Sequence, residues 1–130
     1  MKKGIVFACI ALAALAFAAI GGATAVGKKK SLPHTNLTLK ADPNGDLKFD
    51  KKDLSAKKGF VTITMDNPRT SGTKHGIAVE GKGVDENGKN VNPGKESKVT
   101  VKLTKTGSYT FYCPVDGHRA AGMKGHLTIH

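Results

Sequence analysis

The sequence predicts an all-β fold, an antiparallel β-sandwich of about seven to eight short strands. Three observations carry the prediction. In segment after segment apolar residues recur at every second position, as in Val61, Ile63, Met65 and in Val99, Val101, Leu103. Turn-forming residues punctuate these segments, and no stretch after the first 25 residues has a helical repeat.

Taken in order, the chain opens on a leader. Lys2 and Lys3 precede an uncharged apolar run from Ile5 to Ile20, and Ala23-Thr24-Ala25 supplies small residues for cleavage. Residues 1–25 therefore read as a secretory signal. The competing reading, an uncleaved membrane anchor, needs a longer run to span a bilayer. The exported product is expected in a periplasm or outside the cell. Residues 26–34, with Lys28-Lys29-Lys30, read as a flexible basic tether ending in His34.

The domain is assigned to residues 35–130. Leu37, Leu39 and Ala41 alternate with polar positions, and Asp42-Pro43-Asn44-Gly45-Asp46 makes a turn. Leu47 to Leu54 is a charged, weaker segment suited to a sheet edge. Val61, Ile63 and Met65 alternate with threonines, and His75, Ile77 and Val79 follow the same period. Gly81 to Lys98 is loop-rich, marked by Asn87-Gly88 and Pro93-Gly94. The strand of Val99, Val101 and Leu103 follows. Tyr109, Phe111 and Cys113 then share one face, as do Leu127 and Ile129.

Charge and cysteine content narrow the function. The net charge of +11 falls by two with Lys2 and Lys3, leaving +9 on the exported chain. The lysines are scattered and lack interleaved aromatics, which argues against nucleic acid. A basic surface of this kind suits an acidic partner or an anionic membrane, and a monomer is expected. Cys9 departs with the leader, so Cys113 has no partner for an internal disulfide. Exported chains use cysteines mostly in pairs, and an odd one is a linker between molecules or a thiol with chemistry to do.

Strand phase sorts the histidines. Residues two apart in a strand point the same way. His75 is in phase with Ile77 and Val79, and Cys113 with Tyr109 and Phe111, so both point inward. His126 and His130 alternate with Leu127 and Ile129 and face solvent. The loop after Cys113 brings His118 and Met123 as well, in the pattern Cys-x4-His-x4-Met. Each of these residues alone has a bland explanation: a small buried filler, a turn cap, a core thioether, a satisfied core histidine. Together they form a set of soft and borderline donors. Two histidines and a cysteine in a plane, with a weak axial methionine, make a copper electron-transfer site.

The run Phe111-Tyr112-Cys113, then His118, then Ala121-Gly122-Met123 resembles the copper loop of plastocyanins, auracyanins and other small blue-copper proteins of the cupredoxin family. The resemblance extends over about residues 35–130. It implies one copper ion held by His75, Cys113, His118 and Met123, a Greek-key sandwich, and electron shuttling without catalysis. The four-residue gap between Cys113 and His118 is closer to azurins and auracyanins than to plastocyanins. Where many relatives place Asn after the first histidine this chain has Gly76, whose backbone N–H remains available to the Cys113 sulfur.

Small residues around His118 suggest where electrons pass. Pro114, Gly117, Ala120, Ala121 and Gly122 are read as a flat, weakly polar collar for a docking redox protein, acidic or membrane-associated. Arg119 and Lys124 border it and would steer an acidic partner. Tyr112, next to Cys113 but opposite in phase, offers a longer route. Copper storage or delivery is the main alternative function; an enzyme would need an open coordination position or a second ligand cluster. Asp42, Asn44, Asp46 and Asp53 imitate a calcium loop, but Leu47 stands where that loop needs glycine, so they read as a hairpin turn. Asn36-Leu37-Thr38 is a glycosylation sequon that matters only in a host that glycosylates.

Overall fold

The computed structural model describes residues 21–22 and 25–130, so the leader read at 1–25 lies largely outside the described residues. Residues 25–33 carry no regular structure and are exposed. Eight strands follow: β1 (His34–Lys40), β2 (Asp53–Ala56), β3 (Gly59–Asn67), β4 (Ala78–Gly81), β5 (Val84–Asn87), β6 (Lys95–Leu103), β7 (Gly107–Tyr112) and β8 (Lys124–Ile129). His34 thus opens β1, where its Nε2 lies 2.9 Å from Thr62 Oγ1, instead of ending the tether.

The strands form two sheets, β1-β3-β6 and β2-β8-β7-β4-β5. This is the sandwich expected, with one refinement. β1 pairs with β3 in parallel, and β2 with β8 likewise; the other pairings are antiparallel. Between β1 and β3 the chain crosses to the other sheet as β2, so it re-enters the first sheet running the same way, as parallel neighbours require.

Period-two alternation builds the core. β3 buries every second residue, β6 buries Ser97, Val99, Val101 and Leu103, and β8 buries Gly125, Leu127 and Ile129 while His126 stays exposed. These faces meet Leu39, Leu54, Val79, Tyr109 and Phe111 in one cluster. Burying each large aliphatic side chain contributes about 1.5–3 kcal/mol, which is how a core without tryptophan holds. The Phe111 ring packs against Phe49 with centroids 5.7 Å apart and lies over Gly125, where a Cβ would collide with it. Tyr109 Oη donates to the Lys105 carbonyl (2.8 Å), pinning the β6–β7 turn.

Two segments differ from the alternation read in the sequence. Leu47–Leu54 splits: Phe49 is buried and bridges Ala41, whereas the edge strand itself starts only at Asp53. The Asp42–Asp46 stretch is the expected turn, with Asp42 Oδ1 accepting from Asn44 N (2.8 Å) and Lys48 bridging Asp42 and Asp46. Ion pairing and a backbone bond occupy those carboxylates, so they do not converge on an ion. The segment beginning at His75 is also shorter as a strand. His75 pairs only with Val91, and β4 begins at Ala78. The reason is that the Gly76 N–H leaves the ladder and points to a sulfur.

Candidate metal centre

Three chain segments bring the donor atoms together at one end of the sandwich. His75 arrives on a two-bond bridge, with its N–H donating to Val91 O (3.2 Å) and its carbonyl accepting from Val91 N (2.8 Å). A buried polar cluster fixes that segment from behind. Asn67 Nδ2 donates to the carbonyls of Thr73 (2.9 Å) and Val91 (3.0 Å), and Ser71 Oγ donates to Asn67 Oδ1 (2.5 Å). Ser97 Oγ accepts from Ile77 N (3.3 Å) and donates to Lys89 O (2.6 Å). Asn67 and Ser97 were not picked out in the sequence. Their signal was there: each continues the inward phase of an apolar strand, after Met65 and before Val99.

Cys113 follows directly on β7, fully buried. The loop then turns back on itself: His118 N donates to Val115 O (3.1 Å), Met123 N to His118 O (3.1 Å) and Cys113 N to Met123 O (3.0 Å). Met123 is fully buried and its backbone is bonded to both Cys113 and His118. The ligand atoms of His75, Cys113 and His118 all lie within 4.8 Å of one another. Both imidazoles present the same nitrogen to the sulfur, Nδ1, at 3.9 Å for His75 and 3.6 Å for His118. Among the described residues, no other group of histidine, cysteine and carboxylate side chains converges in this way. His126 and His130 are exposed, as their phase requires.

Gly76 matters through what it lacks. Its N–H donates to Cys113 Sγ (3.4 Å). A Cβ at this position would run into Asn90 Oδ1 and come within 3.2 Å of the Pro114 ring. The side chain absent at 76 therefore leaves room for Asn90 and lets the Cys113 loop close against the His75 segment.

Burial pushes the Cys113 thiol up, against the opposing pull of the Gly76 and Val115 amides. Burial, and then the neighbouring His118, push the His75 imidazole down. His75 thus stays neutral with a lone pair available, while its buried Nε2 has no hydrogen-bond partner. A cysteine sulfur and two imidazoles, with Met123 buried and bonded through its backbone to Cys113 and His118 and no carboxylate in the group, fit copper better than magnesium or calcium. Binding would displace the thiol proton.

The surroundings of His118 separate the two expected electron routes. His118 is half-buried, Pro114 is half-buried, and Gly117, Ala120, Ala121 and Gly122 are exposed, so the collar exists as a surface. Tyr112 is on the opposite face of β7 as expected but is covered. The Arg119 guanidinium lies 4.2 Å from its ring centroid, and its Oη lies 3.4 Å from Asp85 Oδ1. Arg119 in turn makes a two-pronged pair with Glu80, with Nη1 to Oε2 at 2.9 Å and Nη2 to Oε1. That pairing holds the Glu80 carboxyl below its ordinary value. Arg119 is consequently not a free charge beside the collar, whereas the exposed Lys124 has no ion-pair partner among the described residues.

The comparisons agree with this geometry. Residues 35–130 match the model of a family described as copper-binding proteins, the plastocyanin/azurin family. No curated protein matches in sequence. Among solved structures the fold is similar to auracyanin B (22% identity, TM-score 0.65, covering 78% of this chain and 91% of that one). It is likewise similar to the reduced auracyanin of the photosynthetic bacterium Roseiflexus castenholzii (24%, 0.63, 74% and 97%). A third likeness is auracyanin A, a "blue" copper protein of Chloroflexus aurantiacus (17%, 0.60, 75% and 100%). At these identities the likeness is one of fold; the family match, spanning every strand but the first residue of β1, goes further. The buried donor cluster is the site of a single copper ion, and the chain belongs to the plastocyanin/azurin family of copper-binding proteins.

Proposed function

We propose that the protein is an exported one-electron carrier, in which His75, Cys113, His118 and Met123 would hold one copper ion. The observation that carries the reading is the convergence of three donor atoms on segments tied by their own hydrogen bonds. When bound, copper supplies the one-electron couple. The protein's part is to keep the donors where they are in both oxidation states, so that little rearranges on transfer. The Gly76 N–H to the sulfur tunes the thiolate's electron donation. An enzyme would need an open coordination position or a second ligand cluster, and among the described residues His75, Cys113 and His118 form the one such cluster. A delivery protein would favour exposed, exchangeable donors, whereas His75, Cys113 and Met123 are fully buried.

Met123→Gln tests whether the thioether would help hold the copper. A harder oxygen donor favours the oxidised ion, so the variant should keep one copper per chain and show a lowered reduction potential. An unchanged potential and spectrum would leave Met123 as core packing alone.

His118 is the ligand nearest solvent, and electrons pass through its exposed edge at the collar of Gly117, Ala120, Ala121 and Gly122. The leader and the basic tether support a carrier in a periplasm or outside the cell, with the Lys28-Lys29-Lys30 segment able to touch an anionic membrane. Its partner is an acidic redox protein, drawn by the net positive charge. Ala121→Glu puts bulk and the wrong charge on the collar. The bimolecular rate of electron exchange with an acidic redox protein should fall by about tenfold, corresponding to ~1.4 kcal/mol at the docking step. The copper spectrum should not change. An unaltered rate would place the docking surface elsewhere.

A further inference from the structure

Backbone hydrogen bonds hold the loop carrying His118 within itself. Gly117, Ala120, Ala121 and Gly122 offer no side chain long enough to reach the sheet. Among the described residues, the one side chain between Pro114 and Gly122 that hydrogen-bonds to another strand is Arg119. Its partners are placed suggestively. Arg119 follows His118, Tyr112 precedes Cys113, and Glu80 lies on β4, the strand that continues from His75. One guanidinium therefore joins the three segments that carry the three planar donors. It does so with a fork onto a carboxylate and a stack on an aromatic ring at 4.2 Å. A lone exposed ion pair contributes little. A two-pronged arginine–carboxylate pair with restricted exposure (side chains 42% and 33% accessible) and an aromatic stack is a stronger tie.

We propose that Arg119 is a positioning residue, whose clamp on Glu80 and Tyr112 holds His118 against Cys113. The clamp does for the loop side of the site what Asn67 and Ser71 do for His75. Lysine could replace the charge but not the planar fork, and glutamine at 80 could replace the shape but not the charge. The proposal deepens the electron-carrier reading, on which the clamp's purpose rests, but the clamp itself is tested without metal.

The experiment compares the wild type with Arg119→Lys and Glu80→Gln. In the copper-free protein, amide hydrogen exchange is followed at His118, Ala121, Gly122 and Met123, whose N–H groups are bonded within the loop. These amides should exchange about tenfold faster in both variants, with those of β3 and β6 unchanged. In the copper-loaded protein, the metal-shifted ring resonances of His118 should move and those of His75 should stay. Loop amides that exchange at the wild-type rate would overturn the proposal. So would loop and sheet amides accelerating together, since the pair would then contribute only to global stability. Unmoved His118 resonances would overturn it as well. A wild type that takes up no copper at this site would remove the carrier reading, while the exchange rates would still decide the clamp.

Discussion

Cys113→Ser should abolish the intense visible colour expected of the copper(II) protein while leaving a folded sandwich. The colour needs charge transfer from a thiolate, and Cys113 is the one sulfur of that kind near His75 and His118. A serine hydroxyl in its place is a harder donor that does not ionise near neutral pH, so copper should also bind more weakly. The cost to the fold is modest. A buried hydroxyl replaces a thiol that accepts from the Gly76 N–H, and it can accept the same bond, so the loss should not exceed about 1–3 kcal/mol. Absorption spectroscopy and circular dichroism on the same sample check both halves. A serine variant coloured like the wild type would remove Cys113 from the site.

Gly76→Ala should destabilise the metal-free fold and loosen the donor set together. The added Cβ meets the Asn90 carboxamide and the Pro114 ring, in a place where the His75 segment and the Cys113 loop press together. Overpacking of this kind costs about 1–3 kcal/mol, and in a domain of this size the lower figure already lowers Tm by roughly 4–8 °C. Copper affinity should fall too, because relief of the clash pushes Pro114 and its neighbour Cys113 away from His75. Gly27→Ala, where a Cβ meets nothing, is the control and should leave Tm unchanged. Combining Gly76→Ala with Asn90→Gly should recover part of the loss. A Gly76→Ala protein with wild-type Tm would contradict the close-packing account.

Much of the site was legible in the sequence because it is built on strand phase. His75 and Cys113 carry the same period as their apolar neighbours, and the structure buries both completely. His118 and Met123 were legible from their place in a short loop with a cysteine. The sandwich itself followed from alternation alone. The two parallel pairings did not, since period two is the same whichever way a neighbour runs, and only the crossing of β2 to the second sheet decides it. The early end of the His75 strand was hidden for a related reason: nothing in a periodic pattern says that one amide will donate to sulfur instead of to a neighbouring strand.

The clamp shows a different limit. Glu80 and Arg119 are 39 positions apart. In sequence Arg119 is one more cation on a basic chain, and it was read as a steering charge. Paired with Glu80, it carries little of that role. The surface potential at the collar then depends on Lys124 and on the more distant lysines, so the salt dependence of docking reports the net charge of the chain more than any one residue beside His118.

The central claim is that one copper, held by a preformed donor set, passes single electrons. The most direct test is a redox titration of the copper-loaded protein, followed by absorption and by copper analysis of the same sample. The account predicts one copper per chain and a reversible one-electron couple, with the colour lost on reduction and fully restored on oxidation. Copper that leaves the protein on reduction, or a couple that cannot be reversed, would contradict it and favour a role in metal delivery.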